Sequence, residues 1–509
     1  MVKNLFMFNS IKTKILIIFV MCFLTGYCQN TTKAPNIIIF LVDDMGLMDS
    51  SVPFLTSEDG APKVYPLNTF YKTPHLEQLA KNGIRFSNFY AHSVCSPSRT
   101  SLLTGQNAAK TRITNWIKLE EKNSGPYGPK DWNWEGLNKS SITFPKLLQQ
   151  NGYETIHVGK AHFGPRGSEG ENPLNLGFDT NIAGNSIGHP GSYYGEDGYG
   201  HIKGNKKRAV PGLQKYHGTD TFLTEALTLE AKSAISKAHK KNKTFFLHLA
   251  HYAVHAPFQA DPRFIADYDS QLHSKKAIAY ATLIAGIDKS LGDIVAHLKA
   301  LDIDRETLIL FLGDNGSDAP IIPEDNYGSS FPIKGKKGMH WEGGMRVPFI
   351  ASWVTPSGNA LQKLWPIAQN QSQTQMGSIL DIFPTLCEIN SIDIKDYTLE
   401  GHSLVKQFTA KENHKRTEEF LNHYPHKHRS SYFTSLVKKE WKVVYHYPVN
   451  GGPKYELFHL KTDPFEQKNR ALEHPKQLKK MLKYMVYTLK KDAALYPEKN
   501  EESLKIIMP

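Results

Sequence analysis

At 509 residues, with 40% hydrophobic and 22% charged residues, the chain has the composition of a folded globular protein, which excludes a disordered or fibrous one. That length allows two or three domains, or one large α/β domain. The net charge of +12 favours polyanionic partners, yet no nucleic-acid-binding motif accompanies it, so nucleic acid is set aside.

Taken in chain order, the first element is a leader. Lys3, Lys12 and Lys14 precede a ten-residue apolar run, Ile15 to Leu24, followed by Thr25 and Gly26. A basic start and an apolar run too short to span a bilayer read as a cleaved signal peptide over residues 1–28, so the membrane matters only for export, to periplasm or medium. Cys22 and Cys28 leave with it. The mature chain keeps Cys95 and Cys387, and a bridge between them is not expected because Cys95 sits in a reactive context.

Four short apolar runs then end abruptly in ionisable residues: Asn36 to Val42 before Asp43 and Asp44, Tyr153 to Val158 before Lys160 and His162, Phe245 to Ala250 before His251 and His255, and Thr307 to Leu312 before Asp314 and Asn315. Runs of this kind, set between helical patterns such as Lys275 to Leu298, are buried strands of a mostly parallel α/β sheet. Their polar ends fall on the carboxyl edge, where such sheets place their sites. Residues 164–212, rich in Gly, Pro, Tyr and Asn, form a long loop that shapes a pocket wall. Near residue 390 the composition shifts. Phe433 to Val437, Trp441 to Tyr447 and Tyr455 to Leu460 read as antiparallel strands, and Leu478, Met481, Leu482, Met485, Val486 and Leu489 as one apolar helical face. On that helical stretch, Lys476, Lys479, Lys480, Lys483, Lys490 and Lys491 read as a solvated face. The expected division is residues 33–390 for catalysis and residues 391–509 for a smaller antiparallel subdomain.

The most distinctive local pattern is Cys95-Ser96-Pro97-Ser98-Arg99, continuing to Gly105. A proline just after the cysteine starts a helix, whose N-terminus offers free N–H groups and positive dipole to an anion, and Arg99 adds a fork for oxyanions. Asp43, Asp44, Asp314 and Asn315 are hard oxygen donors suited to Ca²⁺ or Mg²⁺. Without a metal, the three carboxylates would repel one another and raise their pKa values.

The eleven residues Cys95 to Gly105 resemble the signature C-x-P-S-R-x-x-x-L-T-G of the type I, formylglycine-dependent sulfatases of the alkaline phosphatase superfamily. The resemblance continues in order through Asp43-Asp44, Gly159-Lys160-Ala161-His162, Val254-His255-Ala256-Pro257, Gly313-Asp314-Asn315-Gly316, Lys337 to Pro348, and Glu456-Leu457-Phe458 with Asp463-Pro464. It implies a large mixed sheet flanked by helices with a small C-terminal sheet, and removal of sulfate from a carbohydrate such as an algal polysaccharide or glycosaminoglycan. It also implies that a maturation enzyme converts Cys95 to formylglycine (3-oxoalanine). Asp43, Asp44, Asp314, Asn315 and residue 95 would hold one Ca²⁺, with Mg²⁺ the alternative. Arg99, Lys160, His162, His255 and Lys337 would surround the sulfate, His162 as base and His255, with Lys337, as acid.

Two rival readings stand beside this one: a phosphate or phosphonate ester hydrolase of the same superfamily, and a non-catalytic binder of sulfated glycans. Arg112, Trp116, Trp132, Trp134 and the run His423 to Arg429 are candidates for sugar subsites. His248 and His251 read as supporting or core histidines, and His340 and His402 receive no role.

Overall fold

A computed structural model describes residues 34–268, 273–322, 328–449 and 453–509; the predicted leader lies outside the described residues. The strands of the principal sheet are β1 (Asn36–Val42), β2 (Ile84–Phe86), β4 (Glu154–Gly159), β5 (Thr180–Ile182), β6 (Phe245–His251), β7 (Thr307–Gly313), β8 (Phe349–Trp353) and β9 (Gln371–Gln373), with a minor strand β3 (Phe89–Tyr90) between β2 and β4. Their spatial order is β5-β4-β6-β1-β7-β8-β2-β9. Neighbours from β5 through β7 are parallel, and β8 runs against both β7 and β2. The expected mostly parallel mixed sheet is what the chain forms.

β1 shows why these runs fold as central strands. Every residue from Ile37 to Val42 is buried, and alternate side chains enter different cores: Ile38, Phe40 and Val42 one, Ile37, Ile39 and Leu41 the other. A strand apolar on both faces is stable only between two helical layers. The first layer includes helices Pro74–Asn82, Leu223–Lys240 and Lys275–Ala300. The second includes Cys95–Thr104, Phe144–Gln150 and Ile382–Ile389.

Register then aligns the polar ends. Val42 lies opposite both His251 and Gly313, and Gly159 opposite Ala250. Asp43, Lys160 and Asp314 therefore leave three strands at nearly one level of the carboxyl edge.

A separate antiparallel sheet contains β11 (Glu419–Tyr424), β12 (Phe433–Lys438), β13 (Trp441–His446) and β14 (Tyr455–His459), in that order, with a further short strand β10 (Gly377–Ser378) pairing β3 earlier in the chain. The helix Pro475–Lys491 covers it with Leu478, Met481, Leu482, Met485 and Leu489. Thr488 is buried on that face, whereas Val486, placed there from the sequence, is only half-buried. β13 is tied by charge to the helix Glu342–Met345. The Lys442 ammonium lies 3.0 Å from Glu342 and 2.6 Å from Glu466, all three fully buried.

Candidate active site

Cys95 opens the helix Cys95–Thr104, and Gly105, at φ 63°, closes it in the left-handed region with its N–H on the Ser101 carbonyl. Pro97 lies in the first turn, where its missing N–H costs nothing. Cys95 and Cys387 are both free thiols, as expected, and both are buried. Burial pushes the Cys95 thiol up in pKa, against the pull of Lys160 and Lys337, and lifts Cys387 to about 12. Neither thiol is activated by its surroundings.

Around residue 95 the structure brings together every predicted site residue. Asp43 accepts a 2.7 Å hydrogen bond from Lys160 Nζ and lies 3.6 Å from the Arg99 guanidinium. Arg99 donates from Nε to Asp314 Oδ2 at 2.8 Å and from Nη1 to the Lys160 carbonyl at 2.9 Å. Asp44, in the left-handed region at φ 59°, donates its backbone N–H to Asp314 Oδ1 at 3.0 Å. Its carboxylate receives Lys337 Nζ at 2.7 Å and the Asn315 amide at 2.9 Å.

The donor set fits one hard cation. Carboxylate oxygens of Asp43, Asp44 and Asp314 lie within 4.8 Å of one another. Asp43 Oδ1 and Asn315 Oδ1 are buried acceptors without a hydrogen-bond partner, a costly state that a cation relieves.

The expected mutual repulsion of the carboxylates holds for only one of the shifted pair. Burial foremost, with Asp314 and Asp44 adding, pushes Asp43 well up despite Lys160. Asp44 goes the other way. Burial opposes its charge, but Lys337, then His255 and Lys160, outweigh it and hold the carboxyl well below its ordinary range. Three cations, Arg99, Lys160 and Lys337, stand against three carboxylates, so a bound divalent ion would leave the site net positive for an anionic ester.

The two site histidines differ. His162 Nε2 lies 2.7 Å from the Ile117 carbonyl and must carry the proton there, leaving the Nδ1 lone pair 3.4 Å from Cys95 Sγ. Burial and then Lys160 keep its pKa well below the ordinary value, so it stays neutral with the Nδ1 lone pair free. His255 donates from Nδ1 to the Ala256 carbonyl at 2.8 Å and turns Nε2 toward Asp44 at 3.6 Å. Burial, then Lys337, lowers its pKa too, against Asp44. Burial also opposes charge on Lys337, but Asp44 foremost, then Cys95 and Asp43, raise its pKa.

Sequence reasoning missed several participants. His189 stacks on His255 with ring centroids 5.2 Å apart, and Arg208 bears electrostatically on Cys95, His162 and His189. Both lie in the 164–212 stretch, and only its composition marked them. Asp49 is fully buried beneath the Asp43–Asp44 turn, bonded to the Gly46 N–H and the Tyr280 hydroxyl at 2.8 Å each, and burial lifts it to about 7. Gly188 closes on His162 so tightly that an added Cβ would lie 2.8 Å from the ring. Gly188→Ala should therefore displace the imidazole and lower kcat about ten- to a hundredfold with little change in Tm, checked by steady-state kinetics and thermal unfolding.

The proposed subsites divide. Arg112, Trp132 and Trp134 line one surface cavity of about 470 Å³, although Trp132 is itself buried, with its indole N–H on Ser124. Trp116 instead packs on Val94, Tyr424 and Phe433. In the His423 to Arg429 run, His423 and His426 are buried and hydrogen-bonded to Thr434 and Thr114. His428 presses on Gly338, and Arg429 pairs with Asp318 and holds the Lys337 carbonyl. His248 and His251 are buried on His157 and Ser290, as core histidines.

Comparisons with known proteins identify the family. The family model described as Sulfatase matches residues 35–390, and that described as N-sulphoglucosamine sulphohydrolase, C-terminal, matches residues 336–492. The N-acetylgalactosamine-6-sulfatase of Mus musculus is 31% identical over 368 residues, covering 69% of this chain and 62% of its own length. The chain thus spans less than two thirds of that relative. The crystal structure of Ps i-CgsB superposes with a TM-score of 0.69 at 26% identity, over 90% of this chain and 93% of that one. A phosphonate monoester hydrolase of Agrobacterium radiobacter shares the fold, with a TM-score of 0.60 at 18% identity over 90% and 95% of the two chains. The Cys95 signature, the acidic cluster on the sheet edge and the match across residues 35–390 lead to one conclusion: the chain belongs to the sulfatase family.

Proposed function

We propose that this protein is an exported, calcium-dependent sulfatase that removes sulfate from a sulfated polysaccharide or its oligosaccharides. The observation that carries the reading is the unprotonated His162 Nδ1 facing the residue-95 side chain at 3.4 Å, with Ser96 Oγ at 3.3 Å, beside a cluster of three carboxylates and three cations.

The family's formylglycine, made from Cys95, would supply a hydrated aldehyde as nucleophile; the cysteine sulfur stands where its oxygens would be. Ca²⁺, held by Asp43, Asp44, Asp314, Asn315 and residue 95, would supply a Lewis acid for the sulfuryl oxygens. His162 is placed to take a proton from the residue-95 side chain. Lys160, Lys337 and Arg99 keep the pocket positive as charge develops on the ester oxygens. Lys337 retains its proton at rest, and a sulfate monoanion arriving beside neutral His255 favours its protonation, so the pair serves the departing alcohol.

A carbohydrate substrate is supported by the relatives. The mouse enzyme is named for a sulfated amino sugar, and Ps i-CgsB has been solved in complex with k-i-k-neocarrahexaose. Export rests on the leader pattern; among the described residues no helix is long and apolar enough to cross a membrane. The acidic group contains no histidine, unlike a two-zinc phosphatase site.

The test is the mass of the peptide containing residue 95 after expression with a maturation enzyme, followed by sulfate release from a panel of sulfated oligosaccharides with and without Ca²⁺. Formylglycine and calcium-dependent release are expected. An unmodified cysteine would remove the mechanism and favour a glycan-binding protein.

A further inference from the structure

A second convergence of ligating side chains lies outside the acidic cluster. His340, His446 and Glu456 each present a ligand atom, all within 4.8 Å of one another. His446 ends β13, Glu456 lies on the adjacent β14, and His340 follows Lys337 by three residues in the segment that enters the active site. His446 Nε2 is 2.7 Å from Glu456 Oε1, and His340 Nε2 is 3.4 Å from the same oxygen.

His340 supplies the independent observation. It is 7% exposed, and its Nε2 has no hydrogen-bond partner, while Nδ1 lies 2.8 Å from Ser430 Oγ. Neither tautomer resolves this. A proton on Nε2 misses the carboxylate in angle; a lone pair there faces a carboxylate oxygen and is repelled. A cation between the three groups satisfies all of them.

We propose that His340, His446 and Glu456 form a second metal site, taking Zn²⁺ or a similar borderline divalent ion. Two imidazoles and a carboxylate are a zinc donor set that leaves a fourth position for water. Tetrahedral bonds of the usual length put ligand atoms about 3.3 Å apart. The His340–Glu456 spacing of 3.4 Å already matches, and the His446–Glu456 hydrogen bond opens when the His446 proton moves from Nε2 to Nδ1, leaving the Nε2 lone pair for the metal. Ser430 holds the His340 ring from the far side, as outer partners of metal-bound histidines do. Burial keeps His340 neutral, at about 4, and the two histidines outweigh burial to hold Glu456 ionised, at about 2. The half-buried His446 leaves a path from solvent. The bound ion would clamp the Lys337 segment onto the small antiparallel sheet.

The test uses tag-free, matured full-length protein saturated with Ca²⁺, so that neither a tag nor the residue-95 thiol binds the added metal. Isothermal titration with Zn²⁺ should show one saturable site, and thermal unfolding a rise in Tm on adding the ion. Co²⁺ in its place should give the strong visible bands of a tetrahedral ion. His446→Leu and the isosteric Glu456→Gln should each lose the site and the zinc-dependent Tm rise while keeping the rise caused by Ca²⁺. Absence of saturable Zn²⁺ in the wild-type protein, or undiminished binding in both variants, would overturn the proposal. None of these readings depends on sulfate release.

Discussion

Asp314→Asn is expected to lower sulfate release by two to three orders of magnitude and to abolish the rise in Tm on adding Ca²⁺. One carboxylate serves three partners: Oδ1 accepts the Asp44 backbone N–H, Oδ2 accepts Arg99 Nε, and the group completes the acidic triad. An amide keeps one acceptor and no charge. Loss of one preorganised electrostatic group in a closed site typically costs 10²–10³ in kcat. The fully buried Arg99 also loses its nearest counter-charge, Asp43 standing further off at 3.6 Å, so the metal-free variant should be less stable by about 3 kcal/mol. Sulfate release followed by ion chromatography, with thermal unfolding in EDTA and in Ca²⁺, separates the two effects. Normal turnover in the variant would remove Asp314 from the metal site.

The second large effect lies away from the chemistry. Lys442→Met should destabilise the protein by about 3–5 kcal/mol, because it strands two buried carboxylates, Glu342 and Glu466, that share one ammonium. The loss should grow with pH. Burial foremost, with Glu342 adding and Lys442 opposing, already raises Glu466 to about 7. A folded-state pKa above the unfolded one means the native state holds the extra proton. The associated stability is complete below the unfolded value and is lost as pH rises through about 7. Without Lys442 the folded-state pKa climbs further, so urea unfolding at pH 8 should reveal a larger deficit than at pH 6. An equal deficit at both would show that the carboxylates do not carry it.

Much of this was legible in the sequence because the site is built from strand ends. The run from Asn36 to Val42 followed by two aspartates needs only strand formation and register to put Asp43 beside Asp314, and both are dictated by local apolar pattern. The Cys95 helix was legible for a similar reason, since its proline and its closing glycine lie within it. The residues that escaped notice act through space. His189 and Arg208 reach the pocket from a loop whose path no periodicity specifies. Asp49 reads as a turn residue until Tyr71 and Tyr280 are seen to enclose it. His340 lies inside the Lys337 to Pro348 block but drew no role there, since its partners arrive from two strands more than a hundred residues later. Trp132 and Trp134 looked alike on the page, and only packing shows that the first is core.

The alignment of Val42 with His251 and Gly313 also bears on how such a protein can change over evolutionary time. Deleting one residue from β1 would withdraw Asp43 and Asp44 by about 3.3 Å and exchange the faces of its side chains, so the length of that strand is frozen by chemistry. The 164–212 stretch has no strand register of this kind, although Asn185, Gly188, His189 and Arg208 tie its inner side to the site. New substrates can be explored by redrawing the outer part of that wall while the reacting groups keep their places, which separates inheritance of the reaction from inheritance of the substrate.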